Sequence, residues 1–387
     1  MTLSEVDLAA VTAELAERAE EHDRDGSFPY EGIALVHKHG LLTETVATRH
    51  GGPGAGLART VDILTALGAG DPAVALVTAM TLFNHAGQAL APSWPEPHYR
   101  QVLAESASAP TLINALRVEP ELGTPARGGL PATVAVRVPG GWSLSGHKIF
   151  STGAEALAWM LVWARTDEDE PRTGSFLVRG GSPGLTIERT WDHLGLRASR
   201  SDDVLLADVR VPADATIELS RPTPDPRGAV LFAWNCLGLT ALYLGVANAA
   251  RDWLVRFLHE RVPTSLGKPL ATLPRFEAAV GEIEARLTAA RVLVRALAEG
   301  VDAGDPEAAR RAPIGKLTGA RAAIESVQEA VALIGNNALN RHNPLERHLR
   351  DVLCARIHTP QDDTILTAAG KAALSQSRQR YGKEPSS

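Results

Sequence analysis

The sequence predicts a mainly helical α+β fold in three consecutive parts. These are an N-terminal helical domain (1–112), a middle β-barrel-like domain (113–214) and a C-terminal helical bundle (228–387). Three observations predict it. Apolar residues recur at helical spacing in the first third, as in Leu8, Val11 and Leu15 and again in Val61, Leu64 and Leu67. Near residue 113 the texture changes to short runs rich in Val, Leu, Ile, Trp and Phe, and after about 228 long helical patterns return. A length of 387 residues suits two or three domains.

The elements follow in order. The start, MTLSEVDLAAVTAELAERAEEHDRD, reads as an acidic amphipathic helix. It lacks the basic start and apolar run of a secretory signal, so a cytoplasmic location is the expectation. HGGPGAG (50–56) marks a loop, and Asp71-Pro72 is a helix start with Asp71 as N-cap. In the middle third, PATVAVRVPGGWSLSGHKIFS forms a hairpin, followed by strands in LAWMLVWART, GSFLVRG and DDVLLADVRVP. Residues 215–227 are a proline-rich connector, and helices follow at about 228–260, 273–300, 305–339 and 344–358, with a tail to about 378. Residues 229–250 carry no charge and could span a bilayer by length. Asn235, Asn248 and the alanine pairs suit close helix packing instead, so no membrane partner is expected and the helix is a candidate for a core or subunit interface.

Composition narrows the function. Hydrophobic residues make up 44% and charged residues 22%, with a net charge of −6. That supports a large core and excludes a disordered chain, a collagen-like chain and a basic nucleic-acid binder. Two cysteines, Cys236 and Cys354, leave no disulfide framework and suit a reducing compartment. The G-x-G-x-x-G, Walker and H-E-x-x-H patterns are missing, GWSLSG (141–146) misses the G-x-S-x-G nucleophile spacing, and the scattered histidines predict no metal site.

Four blocks carry a resemblance. They are ATRHGGPGAG…ALGAGDPAVAL, GGWSLSGHKIFSTGAEA, HLGLRASRSDDVLLADVRVP (193–212) and IGNNALNRHNPLERHLRD (334–351). In order and spacing over nearly the whole chain they resemble the acyl-CoA dehydrogenase superfamily of flavoproteins. The resemblance implies that the flavin ring sits in an apolar slot with amides and hydroxyls at its polar edge. Residues 113–129 are similar to the first flavin loop, with Asn114, Leu116 and Val118 along the ring and Gly123 and Thr124 near the phosphates. The second loop corresponds to residues 149–153, where Phe150 would cover the ring and Ser151 and Thr152 would bind its polar edge. For the adenine half of FAD, held between subunits, the matching positions are Arg261, Gly335 and Asn336, and Gln361 is a further cofactor-binding candidate. Val118 stands where the family usually has threonine, Gly153 replaces an asparagine, and the stretch from Arg261 to Gly267 is two residues longer than usual. FAD is the implied cofactor, with FMN as the alternative, and a homotetramer the implied assembly.

The family's catalytic carboxylate takes an α-proton while hydride passes to the flavin. It most often sits eight residues after the Arg-Asp pair, and counting from Arg350-Asp351 gives Thr359. Some members place it on the long apolar helix, where Asn235 stands here. Neither is a base near neutral pH, so His358 is the candidate base, with an ordinary histidine pKa suited to that work. Asp362 and Asp363 read as N-caps of the final helix.

Three functional readings follow from the resemblance. The first is an acyl-thioester dehydrogenase with a substituted base, which passes electrons to a transfer partner. The second is a flavin-dependent monooxygenase of the same superfamily acting on nitrogen or sulfur, which needs a flavin reductase but no carboxylate. The third is a non-catalytic subunit of a larger assembly.

Overall fold

The computed structural model describes residues 6–122, 129–220 and 228–381. In the first part, α1 (Leu8–Asp25) begins at Asp7, whose carboxylate accepts from the Ala9 and Ala10 amides. After α2 (Tyr30–Lys38) come α3 (Leu57–Gly70) and α4 (Pro72–Leu90). Asp71 caps α4 with Pro72 at its first position, as the sequence predicts. The short α5 (Glu96–Ser106) leads into the sheet.

Eight strands form one mixed sheet: β1 (Leu112–Leu116), β2 (Val134–Val138), β3 (Gly141–Lys148), β4 (Leu157–Thr166), β5 (Thr173–Arg179), β6 (Leu185–Glu188), β7 (Asp203–Pro212) and β8 (Thr216–Ser220). Their order is β6-β7-β3-β2-β4-β5-β8, with β1 beside β4. The β2–β3 hairpin pairs Val138 with Gly141, at the predicted Gly-Gly turn. Three strands correct the sequence reading. Leu112–Leu116, expected within a flavin loop, pairs parallel with β4. Leu185–Glu188 was not expected and pairs with β7. Thr216–Ser220, read as connector, pairs with β5, because TIELS alternates as an edge strand before the prolines begin.

The third part holds α6 (Gly228–Glu260), α7 (Pro274–Asp302), α8 (Pro306–Ile334), α9 (Leu345–Leu353) and α10 (Asp362–Tyr381). α6 is the one described helix long and apolar enough to cross a membrane, and most of its apolar window is buried inside the chain. α3 and α8 cover it. Gly68 and Gly245 let α3 and α6 approach so closely that a Cβ on either would strike the other's backbone. Most of the apolar surface of residues 229–250 is thus covered within one subunit, the core alternative of the sequence reading.

α8 and α9 end earlier than expected, at Ile334 and Leu353, where single 3₁₀ turns take over. Asp362 and Asp363 are not caps but lie in the first turn of α10. The Ile365 amide donates to the Gln361 carbonyl, so Gln361 occupies the cap position.

One cluster joins all three parts. Arg350 on α9 makes a bidentate pair with Asp23 on α1 (2.9 and 2.6 Å) and donates to the Leu194 carbonyl at 3.0 Å. The Leu196 amide donates to Asp351 Oδ1 at 2.7 Å. Burial pushes the Asp351 carboxyl up to about 7 despite that bond.

Candidate active site

The predicted site residues fall into two clusters. The first lies where β1 runs out beside the end of β3. Asn114 Nδ2 donates to the Thr152 carbonyl at 3.1 Å, and the Ile149 amide donates to the Val118 carbonyl at 3.0 Å. The two candidate flavin loops are therefore bonded to each other. A buried ion pair reinforces them: Lys148 Nζ donates to Glu119 Oε1 at 2.6 Å and to the Trp163 carbonyl. Glu119 also accepts from the Ala132 and Thr133 amides, so its charge is fully hydrogen-bonded.

Phe150 sits in the left-handed region (φ 56°), and its ring is 53% exposed, large for a phenylalanine. It meets Trp191 and His193 edge-on, and those two rings stack at 3.6 Å. Leu116 is buried and Val118 half-buried. Ser151 Oγ is buried with no hydrogen-bond partner, whereas Thr152 Oγ1 is bonded to Ser201 Oγ at 3.0 Å. An exposed aromatic face beside an orphaned hydroxyl fits a flat, amphipathic ring system such as a flavin. Gly123 and Thr124, expected near the phosphates, lie outside the described residues.

The second cluster surrounds a small cavity between α6, α8 and the α9–α10 connection. Asn235, His358 and Thr359, expected from separate arguments, all line it. Asn235 Nδ2 donates to the Thr359 carbonyl at 2.9 Å. Thr240, Tyr243 and Lys316 complete the polar lining, and no Asp or Glu is among the described lining residues. The Tyr243 hydroxyl is buried without a partner, and its ring lies 5.7 Å from that of His358. Lys316 is 3% exposed, and its Nζ makes no hydrogen bond. Asp362 Oδ1 stands 3.8 Å away and its carboxylate is shared with Arg321 Nε at 3.0 Å.

The expected histidine pKa is corrected here. Burial first, and then the nearby Lys316 charge, pull His358 down to about 4. It is neutral at pH 7 but far too weak a base to hold a proton there.

The remaining positions join neither cluster. Arg261 is exposed just past α6, and Gly335 and Asn336 are exposed in the turn after α8. Gln361 is half-buried at its cap position. Sequence reasoning missed Tyr243, Lys316, Trp191 and His193. Lys316 carries a legible signal, since it is the single cation on the buried stripe Ala312, Lys316, Ala320, Ala323. Nothing in the local sequence marks the Trp191–His193 stack.

Comparison with known proteins agrees with this layout. The acyl-CoA dehydrogenase N-terminal, middle and C-terminal domains match residues 7–90, 117–209 and 237–362. The chain is 34% identical over 367 residues to YdbM of Bacillus subtilis, a protein bearing an acyl-CoA dehydrogenase name, covering 93% of each chain. It is 31% identical over 397 residues to L-evernosamine nitrososynthase of a Micromonospora species, covering 94% of this chain and 88% of that one. Among solved structures it resembles KijD3 in complex with FMN and an amino-keto deoxysugar nucleotide, with a TM-score of 0.83 and 27% identity over 95% of this chain and 92% of that one.

Proposed function

The chain belongs to the acyl-CoA dehydrogenase family, and from that premise we propose that it is a flavin-dependent monooxygenase that hydroxylates an amine nitrogen or a sulfur. One observation carries this reading: the cavity at the positions that the family resemblance gives to the catalytic carboxylate is lined by Asn235, Thr240, Thr359, Tyr243, Lys316 and a weakly basic His358, with no Asp or Glu among the described lining residues. Removing the α-proton of a thioester needs a base of sufficient strength within reach. Hydroxylation of a nucleophilic nitrogen or sulfur needs none, because the substrate brings its own electron pair. The likeness to a nitrososynthase and to KijD3 supports the same choice. The likeness to YdbM favours the second reading, an acyl-thioester dehydrogenase with an unidentified base.

When bound, a reduced flavin supplies the two electrons that let one atom of O₂ go to the substrate and the other leave as water. The chain's own residues position and exclude. Phe150 offers its exposed ring to one face of the flat group, while Leu116 and Val118 border it. The Ser151 hydroxyl is free to bond its polar edge. Asn114 fixes the Thr152 carbonyl and with it the turn that presents both. Around Asn235, Leu239, Ala320 and Ala355 give the cavity an apolar wall. Such a wall keeps water from the reacting atoms.

FAD is the proposed cofactor, and FMN, which the KijD3 structure holds, is the alternative. Exposed Arg261, Gly335 and Asn336 are free to take the adenine half across a homotetramer interface. Chromatography of the released flavin separates the two. The activity test supplies reduced flavin through a reductase in the presence of ¹⁸O₂ and candidate amines and sulfides. Label in the product supports the reading, and oxygen uptake without label in any product overturns it.

A further inference from the structure

We propose that Asp351 is a positioning residue of the flavin site: acting through segment 195–202, it holds the second flavin loop in the shape that receives the ring. This role rests on the reading of residues 149–153 as a flavin loop, and it adds to that reading a residue of the C-terminal bundle that stands outside the loop.

The second loop is held from behind by one segment. The Ser151 amide donates to the Asp202 carbonyl at 3.2 Å, the Gly153 amide to the Ser199 carbonyl at 2.9 Å and the Ala154 amide to the Arg200 carbonyl at 3.2 Å. A chain of hydroxyls adds a side-chain link, since Ser199 Oγ lies 2.9 Å from Ser201 Oγ and Ser201 Oγ 3.0 Å from Thr152 Oγ1. Ser199, Ser201 and Asp202 are all buried, so bulk water has no access to these bonds.

The segment is itself strained. Leu196 (φ 52°) and Arg200 (φ 43°) flank its single 3₁₀ turn in the left-handed region, which costs energy in any residue with a Cβ. With Phe150 they make three of the five non-glycine residues of positive φ among the described residues, so the strain is concentrated in this one assembly. Such a shape persists only where its surroundings impose it. Arg200 is fixed within the β domain, where it donates to Asp202 Oδ1 at 2.8 Å. Leu196 is fixed from α9, since its amide donates to Asp351 Oδ1 at 2.7 Å. A Cβ on the preceding Gly195 would strike the backbone of Arg350 and Asp351, so α9 presses directly on the strained turn. Leu196 and Asp351 are both buried. Removing the carboxylate leaves a buried amide unpaired, so the turn relaxes and draws the Ser199 and Arg200 carbonyls away from the flavin loop.

The test dilutes the flavin-loaded parent and its Asp351→Ala and Asp351→Asn variants and follows flavin release by fluorescence. Asp351→Ala should raise the dissociation constant roughly tenfold, the weight of one buried hydrogen bond, and shift the visible spectrum of the flavin still bound. Asp351→Asn keeps an acceptor for the Leu196 amide and should restore both to the parent values. An alanine variant that loses stability but keeps the parent's affinity and spectrum overturns the proposal, as does an asparagine variant as weak as the alanine one. Should the alanine variant not fold, hydrogen exchange of the parent with and without flavin decides. Removing flavin should speed exchange at the Gly153, Ala154 and Leu196 amides together, because coupling between two sites is reciprocal. A Leu196 amide that does not respond overturns the proposal. A parent that binds neither FAD nor FMN overturns the cofactor reading itself, and the proposal with it.

Discussion

Asn235 on α6 and Thr359 in the α9–α10 connection, 124 residues apart, are joined by a 2.9 Å hydrogen bond from the asparagine amide to the threonine carbonyl. They are the two positions where the family resemblance expects the catalytic carboxylate. The bond uses the Asn235 side chain and only the backbone of Thr359, and it ties α6 to the connection along the cavity that both residues line. Asn235→Ala removes the donor and leaves the Thr359 carbonyl unpaired. Loss of one such bond predicts a destabilisation of about 1 kcal/mol, measured by denaturant unfolding of the holoprotein.

Placing a carboxylate at Thr359 should change the chemistry. Thr359→Glu adds the missing base at the edge of the cavity. It is expected to let an acyl thioester bleach the flavin anaerobically where the parent does not. Stopped-flow absorbance reads the difference. An inactive but folded, flavin-loaded variant would mean that the counted position is not the base position.

His358 gives a pH prediction. Its imidazole is held at about 4 by burial and by Lys316. NMR of the ring should therefore show a midpoint well below the ordinary 6.5 or so of a free histidine. Lys316→Met removes the second cause and should move that midpoint up. The folded-state value lies below the unfolded one. Stability from His358 is thus complete above about 6.5 and is lost as the pH falls towards 4.

Asp351 has the opposite sign. Its carboxyl is raised from 3.8 to about 7, chiefly by burial. The folded state holds this proton more tightly than the unfolded chain does, so the contribution is complete at acid pH and falls as the pH rises from 4 to 7. Asp351→Asn keeps an acceptor for the Leu196 amide but cannot ionise. Its stability relative to the parent should grow over that window, by at most about 4 kcal/mol at the top. Comparing the two proteins cancels the opposing histidines.

Much of the fold was legible because its signals are local. Asp71-Pro72 announces the start of α4, Gly140-Gly141 the hairpin, and the uncharged run of α6 a helix that must be buried. β8 was not, because its five residues stand directly before a proline-rich stretch and are held only by pairing with β5. The site divides the same way. Asn235, His358 and Thr359 could be counted from the family's spacing. Lys316 and Tyr243 meet them only because α8 crosses α6 at that level, a tertiary fact that no window of sequence contains. The Trp191–His193 stack is hidden likewise, since two rings two residues apart overlap only when the chain between them turns.

The central claim is that no base in the described cavity can take an α-proton from a thioester. Anaerobic mixing of the flavin-loaded protein with short, long, branched and cyclic acyl thioesters, followed by the visible flavin absorbance, tests it most directly. The flavin is expected to stay oxidised throughout, and bleaching within the enzyme's turnover time by any one thioester would mean that a base is present.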